Sequence, residues 1–244
     1  MSGIGKEFME KTQYRYLGRS DQSMGHPQPP LELAAKDTDR ITDLPEPKQV
    51  QADDISLRQA IERRTSIRNY SSEPISLEEL SYLLWCTQGV KEVVRDVVTF
   101  RTVPSAGARH ALETYILVNN VRGLEKGLYR FLPIEHRLVE VNMERDIADR
   151  IKTGCLDQGF IKTSAVTFIW TAVPYRMAWR YGQRGYRYLH LDAGHVCQNL
   201  YLSAESIGCG VCAIAAFLDE DINPAIGIDG ENEFVIYVAT LGKK

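Results

Sequence analysis

Arg63-Arg64-Thr65-Ser66-Ile67-Arg68-Asn69-Tyr70 carries three guanidinium groups and two small hydroxyls within its first six residues. Charge at that density is costly to bury without partners, so the stretch belongs at a surface or around an anion. Arginine presents a rigid fork of donors that matches phosphate oxygens, and hydroxyls and backbone amides complete such a cradle. Ile55, Leu57 and Ile61 lead up to the cluster with helix-like spacing, and Tyr70 beyond it suits a strand. Helix hands over to extended chain here, so neighbouring side chains can converge on one point. Two readings stand on these residues alone: a solvated basic turn and an anion cradle.

Working outward, residues 56–64 read as a helix N-capped by Ser56. Ser76-Leu77-Glu78-Glu79 is a capping box that opens a second helix, with Leu77, Leu80, Leu83 and Leu84 on one face and Gly89 at its end. Residues 101–110 read as a loop around Pro104-Ser105-Ala106-Gly107. Strands are expected at 113–119, 165–173 and 233–241, and a hairpin at 128–131 and 137–141. A helix is expected over 143–156, and a longer, nearly uncharged one over 188–207, where Leu189, Ala193, Val196, Leu200 and Ala204 recur at spacings of three and four. Gly208 to Ala216 reads as a second small-residue loop. Roughly five strands and at least five helices, interleaved but with hairpin pairing, argue for α+β rather than a doubly wound sheet. Residues 1–54 show little periodicity and are punctuated by five prolines, so they read as an extended N-terminal arm before a domain over 55–244. Phe8, Tyr14, Tyr16 and Leu17 could anchor that arm on a neighbour; a disordered leader is the alternative.

Composition narrows the function classes. The chain has 244 residues, 44% hydrophobic and 25% charged, which fits a soluble globule. A net charge of −3 argues against a nucleic-acid partner. No apolar run reaches the length of a membrane span, and the N-terminus lacks the apolar centre of a signal peptide, so a cytoplasmic location is expected. Cys209-Gly-Val-Cys212 has metal or redox spacing, but no second pair completes a zinc site and its flanks are small and apolar, which favours a packing role. His26, His110, His136, His190 and His195 form no metal spacing. Phosphate-loop, dinucleotide and α/β-hydrolase motifs are all missing. What is left is a phosphate cradle and two small-residue loops whose backbone can approach a flat ring closely, a combination that suits FMN.

The chain resembles the nitroreductase-like FMN oxidoreductases on several stretches together. Arg64-Thr65-Ser66-Ile67-Arg68-Asn69-Tyr70 is similar to that family's R-x-S-x-[KR]-x-[FY] motif, followed by Pro74 to Leu80. Pro104-Ser105-Ala106-Gly107-Ala108-Arg109-His110, then Glu113-Thr114-Tyr115, resembles a loop of the SagB-type dehydrogenase branch, some members of which oxidise azolines in peptide natural products. Arg184-Gly185-Tyr186-Arg187-Tyr188 and Asp192-Ala193-Gly194-His195 fit the same branch. The resemblance runs from about Gly5 to the C-terminus.

That resemblance implies an intertwined α+β homodimer, with a central, mostly antiparallel sheet flanked by helices and two FMN sites at the interface. By position, Arg64, Thr65, Ser66 and Arg68 would hold the phosphate, ribityl chain and ring edge. Pro104, Ser105, Ala106 and Gly107 would cover the ring from the other subunit. Ala215 and Ala216 would bring a backbone amide near flavin N5, and Lys243 would meet the phosphate. The implied activity is ping-pong hydride transfer from NAD(P)H through the flavin to a small acceptor of quinone or nitroaromatic type. Desaturation of a ring in a peptide or metabolite, and a non-catalytic flavin-binding subunit of a biosynthetic complex, are the alternatives. The branch's azoline oxidases carry a Lys-Tyr pair where this chain has Arg180-Tyr181. Arginine stays protonated and is a poor general base, so this departure speaks against azoline oxidation.

Overall fold

The computed structural model describes residues 3–244. In chain order come α1 (Ile4–Lys11), β1 (Ile41–Asp43), α2 (Leu57–Arg63), α3 (Leu77–Gln88), β2 (Val90–Val94), β3 (Val98–Arg101), β4 (Leu112–Val118), β5 (Gly127–Leu132) and β6 (Arg137–Asn142). They are followed by α4 (Ile147–Gly154), α5 (Phe160–Thr163), β7 (Val166–Ala172), α6 (Pro174–Tyr181), α7 (Gly185–Glu205), β8 (Cys209–Ile214), α8 (Asp219–Ala225) and β9 (Phe234–Lys243). Seven strands form one antiparallel sheet in the order β1-β6-β5-β4-β7-β9-β8, and β2 and β3 make a separate hairpin. The architecture is α+β, as the hairpin pattern of the sequence implies.

Strands β4 and β7 are buried on both faces, so they are mostly apolar rather than alternating with exposed polar residues. Their side chains still alternate between two cores. Ile116, Phe168 and Trp170 join Leu83, Leu84, Leu189 and Leu200 in the core under α3 and α7, while Tyr115, Leu117 and Ile169 join Ile147, Ile151 and Ile222 under α4 and α8.

The predicted capping box at Ser76 forms, and the predicted N-cap Ser56 proves to head a second one. Ser56 Oγ accepts from the Gln59 amide and Ser76 Oγ from the Glu79 amide, each over 3.2 Å, and the reciprocal side-chain bonds are present. Several expectations need correction. The described residues form nine strands, not about five. The stretch from Gly208 to Ala216 is strand through Ile214, because pairing with β9 overrides its small, weakly β-forming residues. The helix expected over 143–156 starts only at Ile147. α7 begins at Gly185, three residues before the expected start at 188.

The segment before residue 55 lies along its own chain. β1 pairs with β6 at the sheet edge. Further upstream, the Leu33 amide donates to Glu113 Oε1 over 2.9 Å, the Arg130 guanidinium donates to the Leu33 and Ala34 carbonyls, and Trp179 Nε1 donates to the His26 carbonyl over 3.0 Å. Glu113 is buried, and an ion pair of 2.6 Å to buried Arg176 offsets its desolvation.

One crossing positions the arginine cluster. Ser66 bridges to Val211 and the Ile67 amide donates to the Val211 carbonyl over 3.0 Å, so the segment starts alongside edge strand β8. It ends at the Ser71 amide, which donates to the Lys243 carbonyl of β9 over 3.0 Å. In between it passes over the cross-strand pair Gly210–Gly242, with Ile67 on the first glycine and Tyr70 on the second. Tyr70 closes the crossing by hydrogen bonding to Thr240 Oγ1 over 2.7 Å. A methyl group on Gly242 would sit 2.9 Å from the Tyr70 ring, too close without displacement. Gly242→Ala should therefore cost about 1–3 kcal/mol of stability in a urea titration; unchanged stability would mean that Tyr70 does not pack there.

Candidate functional site

The site is built from two groups of residues. The first is the arginine cluster. Arg64 and Arg68 form no ion pair and donate no side-chain hydrogen bond among the described residues. The Arg64 guanidinium lies 5.2 Å from the ring centre of Tyr201, and that of Arg68 lies 5.9 Å from the ring centre of Phe160. Thr65, Ser66 and Arg68 are exposed. Tyr201, on α7, ties this cluster to β8: its hydroxyl pairs with Ser66 Oγ at 2.8 Å and accepts from the Ala213 amide at 2.9 Å. Just beyond, Ala215 and Ala216 are exposed, and neither backbone amide has an acceptor among the described residues. Two unpaired guanidiniums, a hydroxyl and two open amides therefore share one edge of the sheet.

Lys243 is engaged elsewhere. Its ammonium donates to Glu79 Oε1 at 2.5 Å and to the Ile207 carbonyl at 2.8 Å. Glu79 thus caps α3 with one oxygen and holds Lys243 with the other. The cavity that Lys243 lines, with Gln49, Glu73 and Arg122, includes none of Arg64, Thr65, Ser66 or Arg68.

The second group surrounds Pro104, Ser105, Ala106 and Gly107. Gly107 has φ +59°, a conformation that favours glycine, and the Tyr181 hydroxyl and Arg180 side chain press against it. The Ala106 amide donates to Asp192 Oδ1 of α7 over 3.3 Å, and Ser105 Oγ accepts from the His110 amide over 2.9 Å. Burial raises the Asp192 carboxyl above its ordinary range. Burial and the Arg101 charge lower His110 to about 3, so its imidazole is neutral near pH 7. Behind this group, Tyr181 and Tyr188 meet edge to face at 5.0 Å. The Tyr188 hydroxyl pairs with Tyr14 at 2.9 Å and accepts from Arg184 Nε at 2.8 Å. The Arg-Gly-Tyr-Arg-Tyr motif therefore fastens the N-terminal segment beside Tyr181.

Helix α7 anchors both groups, through Asp192 and Tyr201. Nine residues at 3.6 per turn place these anchors on opposite sides of the helix and about 14 Å apart along it. The sequence reading missed Tyr201 and its role as an anchor. Its signal was a hydroxyl-bearing ring in an otherwise apolar stripe, and a buried tyrosine hydroxyl needs a partner. Cys209 and Cys212, three apart on a strand, point to opposite faces and do not converge.

A model of the Nitroreductase family matches residues 61–243. MJ1384 of Methanocaldococcus jannaschii, named for the same family, is 36% identical over 192 residues, covering 79% of this chain and 93% of that protein. A solved Anabaena variabilis structure, titled as a nitroreductase, aligns with a TM-score of 0.68 at 28% identity, over 87% of this chain but only 45% of its own. Two more distant structures share the fold. The Escherichia coli microcin synthetase complex McbBCD aligns with a TM-score of 0.62 at 20% identity, over 80% of this chain and 75% of that one. A Desulfovibrio desulfuricans nitroreductase-type protein in complex with FMN aligns with a TM-score of 0.55 at 16% identity, over 78% and 86%. The two-sided, helix-flanked sheet and the match along most of the chain define a class of oxidoreductase fold. The chain belongs to the nitroreductase family.

Tyr201→Phe removes one hydroxyl from a bridge between two segments. It leaves Ser66 Oγ and the Ala213 amide each short of a partner. The expected loss is about 1–3 kcal/mol in chemical denaturation; no loss would show that the hydroxyl does not link the cluster to β8.

Proposed function

We propose that the chain binds FMN on the edge formed by Arg64 to Arg68 and Ala215–Ala216, and works as an FMN-dependent oxidoreductase. Its reducing equivalents come from NAD(P)H and pass to a small acceptor of quinone or nitroaromatic type. The observation that carries this reading is the pair of uncompensated guanidiniums beside open backbone amides. That donor set suits a phosphate at one end and the polar edge of a flat ring at the other. The FMN held by the Desulfovibrio protein of the same fold supports it. Bound flavin supplies the hydride chemistry, and the protein contributes binding, orientation and electrostatics.

In this reading Arg64, Thr65 and Ser66 bind the phosphate and ribityl chain. Arg68 neutralises the ring edge, and the Ala215 or Ala216 amide donates at the reacting nitrogen. A role for Lys243 at the phosphate requires its ion pair with Glu79 to open. Pro104 to Gly107 come from a second subunit, because the two anchors on α7 face opposite ways. Leu57, Ile61 and Leu191 are 67%, 54% and 59% exposed, an apolar surface on α2 and α7 that suits burial in such a homodimer.

Ring desaturation within a biosynthetic complex is the second reading, and the McbBCD fold likeness favours it. It needs a base to take a carbon-bound proton. Arg180 cannot serve at neutral pH. Reduction of a quinone or nitro group asks only for hydride delivery and a solvent proton, so the reductase reading is preferred.

Purified protein should be yellow, release FMN rather than FAD by mass spectrometry, and oxidise NAD(P)H in air. Arg64→Ala or Arg68→Ala should weaken FMN binding by more than about tenfold, because a charge-assisted hydrogen bond contributes about 1.5–3 kcal/mol. Bound FMN that neither nicotinamide reduces would favour a scaffold role, and absence of FMN would refute the proposal.

A further inference from the structure

Positive charge beside the Pro104–Gly107 loop is left without a counter-ion. Arg109 is only 4% exposed, and its guanidinium lies 5.1 Å from the ring centre of Trp179. Its Nε is buried with no hydrogen-bond partner. Arg180 also borders the loop, with its Nε 3.1 Å from where a Cβ on Gly107 would be. Neither arginine forms an ion pair among the described residues. Asp192, the carboxylate that anchors the loop, accepts from the Ala106 amide through Oδ1, and it pairs with neither arginine; its Oδ2 is buried without a hydrogen-bond partner among the described residues. Nearby Arg176, by contrast, is matched by Glu113. Burial, and then the Arg180 charge, hold the Arg109 guanidinium below its ordinary pKa.

Two like charges kept together, one of them mostly out of water, cost stability unless something offsets them. Guanidinium forks with a phenol hydroxyl at hand match the oxygens of a carboxylate or phosphate. We propose that Arg109, Arg180 and Tyr181 form an anion subsite beside the loop. It takes the carboxylate or phosphate of the small molecule that reacts at this site. The subsite itself stands on its own geometry, but its place in the reaction rests on the FMN reading above. It narrows the substrate class to molecules carrying an anionic group, either a carboxylate on the acceptor or a phosphate on the nicotinamide donor.

The test titrates the full-length protein with benzoate, inorganic phosphate and neutral benzamide, following Trp179 fluorescence. A Trp179→Phe control subtracts the other two tryptophans. At least one anion should bind about tenfold or more tighter than benzamide, and Arg180→Gln, a change at an exposed residue, should remove about that factor. Preference for benzoate identifies an acceptor carboxylate, and preference for phosphate identifies the donor. Benzamide binding as tightly as both anions, or anion binding unchanged in both Arg180→Gln and Arg109→Gln, overturns the proposal. The readout does not depend on flavin. Protein that lacks FMN yet discriminates the anions keeps the subsite and discards the FMN reading, and flavin-loaded protein that does not discriminate does the reverse.

Discussion

The passage of residues 66–71 over the paired glycines of β8 and β9 is the contact on which the candidate site depends. A segment with three arginines could project its charge anywhere from a mobile turn. Here its backbone is fixed at both ends, by Val211 on one strand and by Lys243 on the next. Ile67 and Tyr70 fill the space that two missing side chains leave open. Ser66 Oγ meets the Tyr201 hydroxyl, and the Arg68 guanidinium lies near the Phe160 ring. The proposed anion cradle is therefore fixed by the sheet itself, next to the paired strand that leads to the open amides after Ile214.

Helix α7 carries the same logic to the other half of the site. One side of it reaches the Ser66 hydroxyl and the Ala213 amide through Tyr201, and the other reaches the Ala106 amide through Asp192. The two anchors face opposite sides of this stiff helix, which fits the proposal that each site draws on two chains. The exposed apolar residues on α2 and α7 offer a way for two chains to complete each other's sites. Charge follows the same division. Arg176 and Arg130, in the interior, share the Glu113 carboxylate, whereas Arg64, Arg68, Arg109 and Arg180 have no acidic partner among the described residues.

Much of this was legible in the sequence. The capping residues Ser56 and Ser76, the apolar runs of β4 and β7, and the repeat along α7 report local physics that the structure keeps. The arginine cluster was readable as a candidate anion cradle from its charge density, and the loop from Pro104 as a candidate site segment through the resemblance to the nitroreductase family. Three features were not legible. Strand β8 is poor in β-forming residues and exists because β9 pairs with it. Gly210 and Gly242 lie far apart in sequence, and only the register opposes them. The partners of Tyr201 come from residue 66 and residue 213, and a single position in an apolar stripe cannot announce contacts of that range.

The most direct measurement is a crystal structure of the protein as purified, with its chromophore. The account predicts FMN on the β8 edge, its phosphate within hydrogen-bond distance of Arg64 and Ser66, its reacting nitrogen facing the Ala215 or Ala216 amide, and Pro104 to Gly107 of a partner subunit over the ring. FMN bound elsewhere, or held by one chain with Arg64 and Arg68 left in solvent, would contradict it.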